Sequence, residues 1–202
     1  MKIICIGKNY EDHIKEMGGK QLPEKPIFFL KPDTAISQIK NIFFVPNFSK
    51  KIEHELELVI KIKKVGKNIQ TKFSHKYYDQ ITVGVDLTAR DLQKECKEKG
   101  LPWEISKSFD NSAIVGDFFK TTDFKQNIKF KLYKNKKIIQ EGNSKNMIFQ
   151  IDEIISYVSK YITLKIGDLI FTGTPSGVSE IKKNDIIEGY IENKKAFEVT
   201  VK

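Results

Sequence analysis

Three glutamates, Glu53, Glu55 and Glu57, stand at alternate positions in the segment EHELE. The segment runs into LVIKI, and its alternation of charged and apolar residues predicts a β-strand. Side chains two residues apart share one face of a strand, so Glu55 and Glu57 should lie about 6 to 7 Å apart along it. Such carboxylates can converge on one hard cation, Mg²⁺ or Mn²⁺. The alternative interpretation is a solvent-facing acidic stripe that discourages pairing at a sheet edge.

A fourth carboxylate, Asp86, follows the apolar residues of TVGVD. A buried aspartate without a partner is costly, so the side chain needs a role. It either caps the helix predicted for TARDLQ or joins Glu55 and Glu57 around a metal. Three carboxylates would leave water or substrate to complete a six-coordinate ion.

The composition is that of an ordinary globular protein, with 202 residues, 40% hydrophobic and 11% aromatic. We expect a single domain over residues 1–202. The net charge is +9, but Arg90 is the only arginine among 35 basic residues, and the lysines are spread along the chain. Nucleic-acid sites rely on arginine forks, so this pattern indicates a solvated lysine-rich surface instead. No apolar stretch approaches the roughly 20 residues of a membrane span.

Two cysteines, Cys5 and Cys96, stand far apart without a zinc-ligand spacing. Lone thiols of this kind favour a reducing compartment, so we expect a cytoplasmic protein. The N-terminal segment MKIICIGKNY is too short in apolar residues for a signal peptide.

Strands outnumber helices in the predicted element order and do not alternate regularly with them. This order indicates an α+β fold that is mostly β. A short helix is predicted from NYEDHIKEM, with Asn9 as its cap and Gly18-Gly19 as its end. The other predicted helices are TARDLQKECKEK, which Gly100 ends, and MIFQIDEIISYVSKYITL. The predicted strands occupy residues 2–7, 26–36, 41–47, 53–66, 80–87, a hairpin in 127–141, and further segments from GDLIF to the end of the sequence.

Four segments in order, HELELVI, GVDLTARDLQ, KGLPWEISKSFD and GDLIFTGTPSGV, resemble the fumarylacetoacetate hydrolase family. The resemblance begins at GKNYEDHIKEM and covers nearly the whole chain. Its nearest counterparts are the small single-domain members that act on acylpyruvates and oxaloacetate. The resemblance implies a β-roll of mixed sheets with a few flanking helices, and a homodimer.

The resemblance also implies a metal site. Glu55, Glu57 and Asp86 match the family's ligands for Mg²⁺ or Mn²⁺, whereas Glu53 lies outside the pattern and is interpreted as a surface residue. Lys107, in KSFD, matches a lysine beside the metal that faces substrate oxygens. A cation at that place would stabilise an enolate as it forms.

The remaining matches concern the substrate. Arg90 and Gln93 share one helix face, and an arginine can hold a carboxylate with two parallel bonds. Thr174, in TGTPSGV, matches a threonine of the substrate pocket. His13 and Glu16 match a pair on a mobile lid helix, expected over residues 8–19, in which glutamate orients the histidine that activates water.

The expected activity is divalent-metal-dependent cleavage of a C–C bond in short 2,4-dioxo acids, with decarboxylation of oxaloacetate as a further reaction. The alternative on the same scaffold is an isomerase or tautomerase of a 2-hydroxy-dienedioate or of oxaloacetate. Two non-catalytic alternatives are a basic nucleic-acid-binding module and a structural subunit that has lost its activity. The filled ligand positions argue against the last.

Overall fold

The computed structural model describes residues 1–37 and 41–202. The strands are β1 Ile3–Gly7, β2 Ile27–Lys31, β3 Ile42–Phe43, β4 Ile52–His54, β5 Leu56–Ile62, β6 Tyr78–Asp86, β7 Thr88–Ala89, β8 Ala113–Val115, β9 Phe119–Lys120, β10 Lys129–Lys134, β11 Lys137–Asn143, β12 Leu169–Phe171, β13 Ser179–Glu180, β14 Ile186–Ile191 and β15 Lys194–Val201. The helices are α1 Glu11–Glu16, α2 Thr71–Ser74, α3 Arg90–Lys99, α4 Glu104–Lys107 and α5 Ile151–Tyr161, with 3-10 turns at Asp33–Ala35, Thr121–Asp123 and Ser144–Asn146.

Within residues 1–37 and 41–202, the strands form three sheets. The largest has the order β2-β1-β12-β5-β6-β8, with β9 also paired to β6. A five-stranded sheet has the order β11-β10-β14-β15-β3, and a small one has the order β13-β4-β7. Parallel pairs β1/β12 and β15/β3 stand among antiparallel ones, so the sheets are mixed. The predicted α+β, mostly β fold with a few helices is confirmed.

The central strand β5 is buried on both faces. Leu56, Leu58 and Ile60 point into the main core, which also contains the apolar face of α5. Val59 points the other way, into a smaller cluster that includes Cys5. Glu57 shares the Val59 face, and Glu53 and Glu55 are buried as well, so the glutamates of this segment do not form a solvent-facing stripe.

The long strand predicted from EHELELVIKI is interrupted. Glu55 lies between β4 and β5, which belong to different sheets. Pairing continues beyond the break, because Asp86 N donates to Glu55 O over 2.9 Å. The interruption places Glu53 in the small sheet, while Glu55 remains beside β6.

The predicted helix cap at Asn9 is wrong, and of the two roles considered for Asp86 the structure does not show the helix cap. Tyr10, not Asn9, precedes α1, and the amide of Asn9 instead bonds Phe149 O and Thr172 O at 3.0 and 2.7 Å. The helix after Asp86 starts at Arg90 behind Ala89, without a side-chain cap. Asp86 is therefore available for another role.

Other boundaries agree with the sequence or shift slightly. Gly100 ends α3 in the left-handed conformation, at φ 64°, as predicted. The helix predicted from 147 begins at Ile151, where Glu153 Oε2 accepts the N–H of Gln150 over 2.8 Å. Both cysteines are free and buried. Within the described ranges, no helix is long and apolar enough to cross a membrane.

Candidate metal centre and active site

Three buried carboxylates meet where β5 and β6 pair. The register places Glu57 opposite Gly84, so Asp86, two residues further along, lies on the same face of the sheet. Glu55 reaches the same point from the break before β5. One carboxylate oxygen from each of Glu55, Glu57 and Asp86 lies within 4.8 Å of the other two.

Lys107, at the end of α4, holds this cluster together. Its Nζ donates to Glu55 Oε2 at 2.7 Å, to Asp86 Oδ2 at 2.9 Å and to Thr88 Oγ1 at 2.6 Å. Burial opposes its charge, but Asp86 and Glu55 outweigh burial and raise the pKa of Lys107. All three ammonium protons are therefore used within the protein, and the expected contact with substrate oxygens stays a prediction.

A second buried lysine, Lys31, lies behind Asp86. Its Nζ is 2.9 Å from Asp86 Oδ1 and also donates to Lys107 O and to Ser112 Oγ. The contact with Asp86 is an ion pair without hydrogen-bond geometry, so Oδ1 is buried with no hydrogen-bond donor among the described residues. Such an oxygen is an available ligand atom.

Arg90 forms the next wall of the site. Its Nε donates to Glu53 Oε2 at 2.6 Å, one terminal nitrogen to Glu55 Oε1 at 2.7 Å, and the other to Gln93 Oε1 at 2.6 Å. The interpretation of Glu53 as a surface residue is wrong, since it is only 7% exposed. It faces Arg90 because the chain bends at Glu55.

The short helix α1 covers the cavity with His13. Glu16 Oε2 lies 3.1 Å from His13 Nδ1, and Glu16 Oε1 accepts the N–H of Gly177 over 2.9 Å. Glu16 therefore links the histidine to the loop after β12. With Nδ1 next to Glu16, Nε2 is the ring nitrogen left for a substrate or water.

The loop after β12 contacts both the centre and β5. Gly173 N donates to Glu57 Oε2 at 2.6 Å, and the hydroxyl of Thr174 donates to Leu56 O at 2.9 Å. This turn therefore presents a backbone N–H group to the carboxylate of Glu57. Thr174 lines the cavity while its hydroxyl is bound to protein groups.

These groups surround a cavity of about 460 Å³. Eight of the nine residues predicted for the site line it, and the ninth, Glu16, lies behind His13. The apolar wall of the cavity includes Phe29 and Trp103, and Lys8 and Lys97 also line the cavity. The eight are His13, Glu55, Glu57, Asp86, Arg90, Gln93, Lys107 and Thr174.

The carboxylate set fits a divalent cation. Burial, followed by the charges of Asp86 and Glu55, raises the pKa of Glu57 well above its usual range. Burial also opposes ionisation of Glu55, but Lys107 and Arg90 outweigh it and lower the pKa of that carboxyl. A cation among three hard oxygen donors would relieve the repulsion felt by Glu57 and satisfy Asp86 Oδ1.

Several residues of the site were not found from the sequence. Lys31, in FLKP, also resembles a family position but received no role, and Thr88 was only part of a motif. Gln140 lies on β11 of the five-stranded sheet and hydrogen-bonds two segments next to the carboxylate cluster. Nothing in its local sequence, KKIIQEG, indicates this role. For Glu53 the sequence did contain an indication of burial near the site, because Glu53 continues the alternation of Glu55 and Glu57.

Comparison with known proteins gives a consistent result. The chain is 43% identical to the mitochondrial oxaloacetate tautomerase of Mus musculus over 202 residues, which is 99% of this chain and 91% of that protein. It is 37% identical to the oxaloacetate tautomerase of Escherichia coli K12 over 187 residues, covering 91% and 85%.

A solved structure of fumarylpyruvate hydrolase from Pseudomonas aeruginosa, in complex with Mn²⁺ and pyruvate, superposes with a TM-score of 0.93 at 32% identity, covering 100% of this chain and 89% of that one. The family model described as fumarylacetoacetate (FAA) hydrolase C-terminal matches residues 2–202. The chain therefore belongs to the fumarylacetoacetate hydrolase family.

Proposed function

We propose that this chain is a divalent-metal-dependent tautomerase that interconverts the keto and enol forms of a short 2-oxo diacid, with oxaloacetate as substrate. The observation that carries the proposal is the buried set of Glu55, Glu57 and Asp86 beside Arg90, at the base of one cavity. Two relatives that share 43% and 37% identity are named for this reaction. These relatives support the tautomerase alternative more than the hydrolase expected from the sequence.

The metal residues are Glu55, Glu57 and Asp86, which would hold Mg²⁺ or Mn²⁺. When bound, the cation would act as a Lewis acid that favours the enolate over the ketone. Among the described residues, Arg90 uses one N–H of each nitrogen in the bonds above. A guanidinium carries five N–H groups, so one on each terminal nitrogen remains to bind a substrate carboxylate.

His13 would move the proton in this reaction. In the keto-to-enol direction, one proton moves from the carbon beside the 2-oxo group to the oxygen of that group. Nε2 of His13 takes the carbon proton as a general base and then, as an imidazolium, returns it to the enolate oxygen, while Glu16 holds the ring through Nδ1. Closure of α1 over the cavity keeps bulk water from the enolate.

Hydrolysis of a 2,4-dioxo acid is the second candidate. The observation in its favour is the same His13–Glu16 pair, which equally suits activation of a water molecule. The similarity to a fumarylpyruvate hydrolase supports it as well. In that reaction, water attacks the distal carbonyl, the C–C bond breaks, and pyruvate leaves as its enolate.

The test is a parallel assay on chelator-stripped enzyme with Mg²⁺ or Mn²⁺ restored. Metal-dependent loss of the ultraviolet absorbance of enol-oxaloacetate, faster than the uncatalysed rate, is expected. Glu57→Gln should abolish it, whereas Glu141→Gln, at an exposed position on β11, should not. Cleavage of acetylpyruvate without tautomerisation would replace the proposal by the hydrolase, and neither activity would overturn both.

We also propose that residues 1–202 act as one catalytic domain, that α1 is a mobile lid, and that the chain forms a homodimer. These proposals rest on the family resemblance. Light scattering on the purified chain tests the dimer, because a monomer mass would contradict it.

A further inference from the structure

Gln140 is a buried polar residue on β11, far from the predicted site in the sequence and only 2% exposed. Its Oε1 accepts the N–H of Leu56 at 3.0 Å and contacts His54 Nδ1 at 3.0 Å. An amide oxygen only accepts, so this contact requires the proton on Nδ1. Gln140 thus holds the residues on both sides of Glu55, at the break between β4 and β5.

The other end of the same amide binds the loop after β12. Gln140 Nε2 donates to Thr174 Oγ1 at 2.7 Å and to Pro175 O at 2.8 Å. Gln140 therefore makes four contacts through two atoms, with segments that the chain places far apart. Buried networks of this kind fix geometry when every member is satisfied.

The local backbone is shaped to bring Gln140 inward. Leu132 pairs with Gln140 and Tyr133 with Ile138, so Ile139 is an extra residue in β11. A bulge of this kind re-aims the next side chain. Gly177 permits the close approach: it has φ 102°, and a Cβ there would lie 3.0 Å from Ile139 O.

The loop that Gln140 holds serves the active site at two places. Gly173, one residue before Thr174, donates to the metal-site carboxylate Glu57. Gly177, two residues after Pro175, donates to Glu16 of the lid. The side-chain amide of Gln140 thus connects the chain on both sides of Glu55 with the loop that binds Glu57 and Glu16.

We propose that Gln140 is a positioning residue that sets the geometry of the metal centre by fixing the break at Glu55 and the loop from Gly173 to Gly177. The proposal rests on the metal centre of the proposed function, but not on the identity of the substrate. Groups that orient metal ligands typically contribute about 10- to 100-fold to metal affinity or activity. A residue that only packed would affect stability alone.

The test measures Mn²⁺ affinity by titration of the metal-stripped protein, without substrate, at a temperature where circular dichroism shows every variant folded. Gln140→Met keeps the length of the side chain and removes all four contacts. Gln140→Glu keeps the acceptor oxygen for Leu56 N and loses the donors to the loop. We expect the Mn²⁺ dissociation constant to rise at least tenfold in Gln140→Met, and by less in Gln140→Glu.

Ser159→Ala is the matched control, because Ser159 is fully buried and its hydroxyl binds Ile69 N at 2.9 Å, on α5 and away from the centre. It should lower the melting temperature and leave Mn²⁺ affinity unchanged. Wild-type affinity in Gln140→Met, or an equal loss in Ser159→Ala, overturns the proposal. If Gln140→Met does not fold, unchanged affinity in Gln140→Glu overturns it.

Absence of Mn²⁺ binding by the wild-type chain overturns the proposal together with the metal centre. A wild type that binds Mn²⁺ but does not tautomerise oxaloacetate contradicts only the proposed function. In that case the comparison of Gln140→Met with Ser159→Ala still decides the role of Gln140.

Discussion

Arg90 Nε donates to Glu53 Oε2 across 2.6 Å, and this bond fixes the plane of the guanidinium beside the carboxylate cluster. Both partners are largely buried, with side chains 13% and 9% exposed. The terminal nitrogens of Arg90 then point to Glu55 and Gln93. Glu53 therefore has a role in orienting Arg90, although it does not belong to the cluster of Glu55, Glu57 and Asp86.

The first prediction concerns Glu53→Gln. The variant keeps the shape of the side chain but weakens a charge-assisted bond to Arg90, so the guanidinium becomes less well oriented. We expect KM for oxaloacetate to rise by about tenfold, equivalent to roughly 1.4 kcal/mol, with a smaller change in kcat. Steady-state kinetics at saturating Mg²⁺ measures both parameters.

Glu95→Gln is the control for this change. Glu95 lies on the same helix, α3, and its carboxylate pairs with Lys99 at 2.7 Å, with both side chains exposed. Exposed pairs of this kind contribute little, so both kinetic parameters should stay at the wild-type values. An equal rise of KM in the two variants would contradict the special role of Glu53.

The second prediction concerns Arg90→Lys. Lysine keeps the positive charge but lacks the planar fork that reaches Glu53, Glu55 and a substrate carboxylate together. We expect kcat/KM to fall by about 10- to 100-fold, while Mn²⁺ affinity changes far less. A variant with wild-type kcat/KM would show that charge alone is sufficient at this position.

The third prediction separates two reactions through His13→Gln. Glutamine cannot act as a general base, so the step that removes a proton from carbon or water should slow by about 10²- to 10⁴-fold. Mn²⁺ affinity should stay at the wild-type value, because His13 is not one of the three carboxylates proposed to bind the ion. Tautomerisation at an undiminished rate would assign proton transfer to another group and leave His13 to hydrolysis.

The fourth prediction concerns stability at low pH. Burial, despite the bond to Gln140, lowers the pKa of His54 to about 4. The ordinary value in the unfolded chain is about 6.5, so the unfolded state binds a proton first as pH falls. Because of this residue, the free energy of unfolding should fall by about 2 kcal/mol as the pH is lowered from 7 to 4.5.

The measurement is urea unfolding at both pH values for wild type and His54→Gln. The variant has no group that titrates at this position, so its loss between pH 7 and pH 4.5 should be smaller by about 2 kcal/mol. Other groups titrate in both proteins and cancel in the difference. Equal losses in the two proteins would show that His54 has an ordinary pKa in the folded protein.

The sequence predicted most of the fold and the candidate site residues, but not the bonds that hold them. The alternation of EHELELVIKI identified the buried strand and the paired carboxylates, because a strand has a fixed period of two. The break at Glu55 depends on pairing with Asp86 and on Gln140, which are distant in the sequence. A local sequence pattern does not predict contacts between residues that are so far apart in the sequence.

Gln140 and Ile138 show this limit most clearly. They are two residues apart, so a regular strand would place both side chains on the same face. On hydropathy alone, Ile138 would be expected to be the buried residue. The bulge at Ile139 reverses this, leaving Ile138 48% exposed and Gln140 2% exposed. Asn9 is similar, since a residue typical of a helix cap is instead bonded to Phe149 and Thr172.

The most direct test of the account is a calorimetric titration of the chelator-stripped chain with Mn²⁺, beside Glu57→Gln. The wild type should bind one ion per chain, and Glu57→Gln should bind at least 100-fold more weakly, because it removes one of three charged ligands from a buried site. No binding by the wild type, or equal binding by the variant, would contradict a metal centre at Glu55, Glu57 and Asp86.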